Sequence, residues 1–182
     1  MVSGATLAPF RCRGSLARIA ATLGLSCMIF PGFVSAQAAD TVSFDSRVAP
    51  GTIVVRTGER RLYLVISPGH ALRYRVGVGR AGRQWAGVSS IDGKFIRPDW
   101  APPLAVKRDH PGLPDVVPAG SPSNPLGAAA LTLSGGEYAI HGTNAPESIG
   151  RFVSYGCIRM SNKDIVDLSL HVNLGTPVVV VR

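Results

Sequence analysis

Cysteine is scarce in this 182-residue chain: there are three, and Cys12 and Cys27 both lie in the N-terminal segment. No two cysteines stand at the spacing of a metal knuckle, and the four histidines are far apart, which argues against a zinc site and leaves no cofactor to expect. Internal repeats and low-complexity tracts are missing too. Long uninterrupted apolar runs are equally absent. The one candidate, Ile19 to Val34, is short and is broken by Pro31 and Gly32, which speaks against a membrane anchor.

What surrounds that run has a different meaning. Arg11, Arg13 and Arg18 precede it, and Ala36-Gln37-Ala38 follows with small residues at both ends of an A-x-A site. Residues 1–38 therefore read as a secretory signal peptide, cleaved near Ala38, with export to the periplasm or cell envelope. Cys27 follows Gly24, Leu25 and Ser26 and precedes apolar Met28, Ile29 and Phe30, a poor lipid-attachment context. Cleavage leaves Cys157 as a lone thiol in an oxidising compartment, without an intramolecular partner.

The formal charge is +8; without the three signal-segment arginines, sixteen basic residues remain against eleven acidic ones. A basic exported protein suits an anionic cell-wall polymer or a membrane surface, and export argues against nucleic acid as a partner. Apart from the pairs Arg60-Arg61 and Arg73/Arg75, the charges are scattered over what reads as a solvated surface.

Residues 39–51 are polar and unpatterned, a short leader to one domain spanning 52–182. Thr52 to Arg56 and Arg61 to Ile66 are β-branched and aromatic runs around a turn, and predict a hairpin. Ala71 to Gly79 places Leu72, Tyr74, Val76 and Val78 on one face and predicts a third strand. Between residues 80 and 127 fall eight of the fourteen prolines, which exclude long regular elements apart from brief strands such as Val88 to Ile91. An ordered excursion of this kind reads as a lid or binding loop. Trp85 and Trp100 within it either cover the core or wall a substrate cleft.

Leu131 to Leu133 and Tyr138 to His141 flank a Ser-Gly-Gly-Glu turn, a second hairpin. Ser161 is an N-cap candidate for a helix carrying Ile165, Val166, Leu168 and Val172 and ending at Gly175. His171 in its last turn suits the helix dipole. Pro177 to Val181 reads as a buried strand.

The chemistry concentrates between Tyr138 and Met160. A thiol attacks a carbonyl as thiolate, and an imidazole within reach is its usual activator. His141 precedes Cys157 by sixteen positions, and Arg159 follows it by two. In this reading Cys157 is the nucleophile and His141 the general base, with the Gly142 carbonyl orienting the ring. The N–H groups of Tyr155, Gly156 and Cys157 form the oxyanion hole. Gly156 lets the turn tighten. Arg159 either grips a substrate carboxylate or braces the loop.

The block His141-Gly142-Thr143 followed by Ser154-Tyr155-Gly156-Cys157-Ile158-Arg159-Met160 closely resembles the active-site signature of the L,D-transpeptidase (YkuD-like) catalytic domain family. The likeness extends from Thr52 through the Asn124-Pro125-Leu126-Gly127 turn to the closing Gly175-Thr176-Pro177 strand. One departure is Tyr155, where many relatives carry a second histidine, so a base role there does not carry over. Papain-like amidases place cysteine before histidine, and sortases separate the two far more widely.

The resemblance implies a mainly β, β-rich α+β fold: a curved β-sandwich with one or two short helices, the thiol at a strand-to-helix transition beneath a lid. Thr143, Ser154, Trp85 and Trp100 become candidate substrate contacts. It further implies a thioester formed on Cys157 from a peptidoglycan tetrapeptide stem, with release of terminal D-alanine. Transfer to a second stem would give a 3-3 cross-link, transfer to a lipoprotein lysine an anchor, and transfer to water a trimmed stem. Carbapenems would acylate the same thiol. A non-catalytic muropeptide-binding protein on the same scaffold is the rival reading.

Overall fold

The structure is a computed structural model that describes residues 39–182; the expected signal peptide, with Cys12 and Cys27, lies outside the described residues. No helix among the described residues is long and apolar enough to cross a membrane.

The hairpin in the first half forms as predicted, β2 (Ile53–Arg56) against β3 (Arg61–Ser67), and β3 continues antiparallel into β4 (His70–Arg75). The stretch read as a leader is not one. It supplies β1 (Asp40–Ser43), which pairs antiparallel with β4. Val42, Phe44 and Val48 then cover the outer face of the hairpin at Val54, Tyr63, Val65 and Ala71, with the Phe44 and Tyr63 rings 4.9 Å apart. An alternation of only four residues amid polar neighbours carried too little signal to read as a strand.

The strand expected over Ala71 to Gly79 breaks after Arg75 and resumes as β5 (Val78–Gly79), because Gly77 turns to pair with Arg159 instead. In the proline-rich region the exclusion of long elements fails at its start. β6 (Gly87–Ile96) runs for ten residues, ending just before Pro98, and a short helix α1 (Leu104–Asp109) follows Pro103. The prolines thus confine regular structure in the lid without reaching β6.

β6 is the hinge of the architecture. Its first half, Gly87 to Ser90, pairs with β11 (Pro177–Val181), and its second half, Ile91 to Ile96, pairs with β7 (Ala129–Leu133). Between the halves, at Ile91/Gly93, the register shifts. A bulge of this kind bends a strand and lets it serve two sheets. The remaining strands are β8 (Ala139–His141), β9 (Phe152–Ser154) and β10 (Ile158–Arg159), giving the order β1-β4-β3-β2-β11-β6-β7-β8-β10, with β5 and β9 paired separately.

Both halves of the bent sheet face one core. Ile53, Val55, Leu62 and Leu64 from one half meet Leu131, Leu133, Ile140 and Ile158 from the other, and helix α2 (Asn162–His171) adds Ile165 and Leu168. This is the curved, β-rich sandwich with two short helices. Ser161 caps α2 by accepting the Asp164 N–H at 3.1 Å. The helix stops at His171 rather than running on toward Gly175, because Val172 is already extended; Gly175, at φ 83°, serves the turn into β11.

Candidate active site

β8 and β10 run parallel, with Ile140 opposite Ile158 and His141 opposite Arg159. Side chains alternate across a strand, so the register decides which residues meet. Ile140 and Ile158 point into the core at 0% and 1% exposure. His141, Cys157 and Arg159 therefore share the opposite face, and all three line a cleft of about 630 Å³. The Met160 N–H, donating to the His141 carbonyl at 2.8 Å, and Gly77, bonded both ways to Arg159 at 2.8 Å, hold the strand ends in place.

The imidazole is 4% exposed, and its Nδ1 lies 2.7 Å from the Gly142 carbonyl. A carbonyl only accepts, so Nδ1 carries the proton and Nε2 keeps its lone pair. Burial holds the ring's pKa down to about 4, aided by the Arg159 charge and opposed by the Gly142 and Pro125 carbonyls. At neutral pH the ring is an uncharged base. Burial also pushes the Cys157 thiol up, against the pull of the Ala139 N–H and of Arg159. Burial thus favours a neutral thiol and a neutral imidazole, two groups that line one cleft, over the ionised sulfur that the residue types alone suggested, because it penalises both charges of an ion pair.

The turn that presents Cys157 joins β9 to β10, so the thiol sits between two strands rather than at a strand-to-helix transition. Ser154 ties this turn together: its Oγ donates to the Cys157 carbonyl at 2.6 Å and accepts the Gly156 N–H at 3.1 Å. That second bond corrects the predicted oxyanion hole, since the Gly156 N–H is already engaged. Gly156 itself adopts φ 130°, and a Cβ there would run into the Tyr138 ring.

The two tryptophans part company. Trp100 lines the cleft with Pro103, Val106, His110 and Leu113. Trp85 stands behind the turn, where its ring stacks on Tyr138 at 5.0 Å and its Nε1 donates to the Gly156 carbonyl at 3.0 Å. Its contact is with the loop, and it is not among the cleft residues. Thr143 is also buried away from the cleft, its Oγ1 accepting the Ala145 N–H at 3.0 Å.

Residues 50–180 match the L,D-transpeptidase catalytic domain, YkuD. The chain belongs to that family. It is 41% identical over 138 residues to a probable L,D-transpeptidase ErfK/SrfK of Salmonella typhimurium, covering 71% of this chain and 43% of the relative. The chain thus spans less than half the length of that relative. An L,D-transpeptidase from Enterococcus faecium, solved as a mutant, shares the fold at TM-score 0.58 and 18% identity, covering 74% of this chain and 50% of that one. L,D-transpeptidase 3 from Mycobacterium tuberculosis, solved with a faropenem-derived adduct, aligns at TM-score 0.56 and 15% identity, covering 72% and 60%.

Within this L,D-transpeptidase domain, Arg159 is the unusual charge. Its Nε is buried with no hydrogen-bond partner, and burial lowers its pKa while Cys157 and Glu147 pull it back up. No ion pair among those of the described residues involves it.

Two residues, Asn162 and Asp109, escaped the sequence reading, as did the bracing role of Asn124. Asn162 accepts the N–H groups of Ala128 and Thr143 and donates to the Thr143 carbonyl, each at 3.0 Å, so it fixes the turn after His141. Its amide, three positions after Arg159, was the available signal, since only a side chain with both donor and acceptor can brace a turn this way. Buried Asn124 does the same for the lid, donating to the Pro98 carbonyl at 2.9 Å and accepting the Leu126 N–H at 2.9 Å. Asp109, at the end of α1, accepts from the Tyr155 hydroxyl at 2.6 Å, a contact across 46 positions that no local pattern encodes.

Proposed function

We propose that the domain is an exported L,D-transpeptidase that acylates Cys157 with a peptidoglycan stem peptide and transfers the acyl group to an amine. The observation that supports this best is the β8/β10 register, which sets a neutral imidazole, a thiol and an unpaired guanidinium on one face of one cleft.

The chemistry follows from the protonation states. His141 Nε2 takes the thiol proton as sulfur attacks the amide carbonyl, so charge develops only when substrate is in place. The N–H groups of Tyr155 and Cys157 remain for the oxyanion. Collapse breaks the C–N bond, and the imidazolium returns its proton to the departing D-alanine amine. An acceptor amine then attacks the thioester carbon and loses a proton to Nε2; the C–S bond breaks as the new C–N bond forms, and the imidazolium returns that proton to sulfur. A second stem as acceptor gives a 3-3 cross-link, a lipoprotein lysine gives an anchor, and water gives a trimmed tripeptide. Arg159 lines the cleft without an ion-pair partner among the described residues, and the guanidinium nitrogens beyond its buried Nε grip a carboxylate of the donor stem.

The test is intact mass after incubation of the mature protein with tetrapeptide muropeptides, and separately with a carbapenem. A mass gain on the wild type that is lost in Cys157→Ala and His141→Ala supports acyl transfer. No gain with either reagent, or a gain that survives Cys157→Ala, favours a muropeptide-binding module. Free tripeptide as sole product in the presence of an amine acceptor makes the protein a carboxypeptidase.

A further inference from the structure

Helix α1 roofs the cleft, yet little holds it there. It has six residues, too few to be stable alone, and none of them is buried. Leu104 at its start is 76% exposed. The base of the surrounding loop is secured by the Trp100 and Val117 backbones, bonded both ways at 2.9 and 2.8 Å, and by Asn124. Asn144 Nδ2 adds a bond to the Pro122 carbonyl near the base at 3.0 Å, and between Trp100 and Val117 the side chain that bonds outside the loop, among the described residues, is Asp109. One oxygen, Oδ2, accepts both the Tyr155 hydroxyl at 2.6 Å and Arg80 Nη2 at 2.8 Å. The Arg80 guanidinium in turn lies 4.1 Å from the centre of the Tyr155 ring, and its backbone N–H donates to the Ser154 carbonyl at 2.9 Å.

We propose that the Tyr155 side chain is a positioning residue: with Asp109 and Arg80 it clasps the outer end of α1 to the nucleophile turn and holds the roof over Cys157. Tyr155 adjoins the oxyanion donors through its backbone and reaches the roof through its phenol, so one residue couples the two. The inference rests on the acyl-transfer reading for its consequence. A closed roof shields the thioester from bulk water while an amine held in the cleft attacks it. A loosened roof admits water, which adds to the acyl carbon as the C–S bond breaks, giving a free carboxylic acid and returning the proton to sulfur.

Tyr155→Phe deletes the hydroxyl and keeps the ring beneath Arg80; Asp109→Ala removes the acceptor. In each variant the rate of Cys157 alkylation by a bulky neutral maleimide rises, and the ratio of amine transfer to hydrolysis falls, by about three- to tenfold, the span that exposed hydrogen bonds carry. The double variant goes no further than Asp109→Ala alone, because both substitutions open the same clasp. Thermal unfolding is recorded for each, and Asp109→Asn replaces any variant that fails to fold. Unchanged alkylation in both single variants, or strictly additive effects in the double, overturns the clasp. A wild type that alkylates but never acylates overturns the transferase reading instead, and the maleimide rates still judge the clasp.

Discussion

Acidification should unfold this domain through His141. The ring is 4% exposed, with its pKa held at about 4 by burial, whereas in the unfolded chain it titrates near the ordinary 6.5. Between these values the unfolded state binds a proton that the native state refuses, so stability falls as pH falls through the window and levels off below it. The gap of about 2.5 pH units, at about 1.4 kcal/mol each, amounts to about 3 kcal/mol, a large part of a typical domain's stability. The assay is urea denaturation at closely spaced pH values on the wild type and on His141→Gln, which keeps an N–H near the Gly142 carbonyl but cannot titrate. Carboxylates contribute to both curves, and the difference isolates the imidazole. The wild-type curve should drop more steeply between pH 6.5 and 4, closing on the variant by about 3 kcal/mol. Parallel curves would mean that the ring protonates as easily folded as unfolded, and the neutral-base mechanism would fail with that result.

The same neutrality governs the thiol, whose alkylation by iodoacetamide should climb roughly tenfold per pH unit between about pH 6 and 9, where an imidazolium–thiolate pair would give a flat acidic plateau. Ser154→Ala should cost about 2 kcal/mol in denaturant titrations by stranding the Gly156 N–H and the Cys157 carbonyl, while Ser154→Thr retains most of it. Gly156→Ala should abolish acylation measured by intact mass, since φ 130° and the Tyr138 ring leave no room for a methyl group. Glu137 lies on the cleft and raises the Cys157 pKa, so Glu137→Gln should speed alkylation, by under about threefold and less at high salt because the carboxylate is exposed.

The parts of the fold legible in the sequence were those with strong local periodicity. Arg61 to Ile66 declares itself as a strand because Leu62 to Val65 are buried on both faces, whereas Pro177 to Val181, expected to be buried throughout, buries only Val178 and Val180 and leaves Pro177 and Val181 exposed. Ser161 and the Ile165/Leu168 stripe announce α2 for an equally local reason. What stayed hidden depended on partners far along the chain. Asp40 to Ser43 becomes a strand only because β4 offers an edge and Tyr63 a surface for Phe44. β6 outgrew its expected four residues because two different strands, β11 and β7, each take half of it.

The site divides along the same line. Residue types and spacing singled out Cys157, His141 and Arg159, since a nucleophile, a base and a cation within one short segment carry a chemical meaning before any fold is known. Their protonation states were not legible, because those depend on burial, and burial reverses the expectation: the imidazole that should ionise the thiol sits where neither charge is welcome. The consequence is mechanistic. A pair kept neutral at rest gives little thiolate to stray oxidants or alkylating agents, which matters for a lone cysteine if the protein is exported to an oxidising compartment. In the proposed mechanism the nucleophile is generated by proton transfer in the act of attack, so reactivity toward substrate and reactivity toward small electrophiles become separable. A variant that exposes the imidazole to water should therefore raise the second while lowering the first, an opposition that a standing ion pair could not produce.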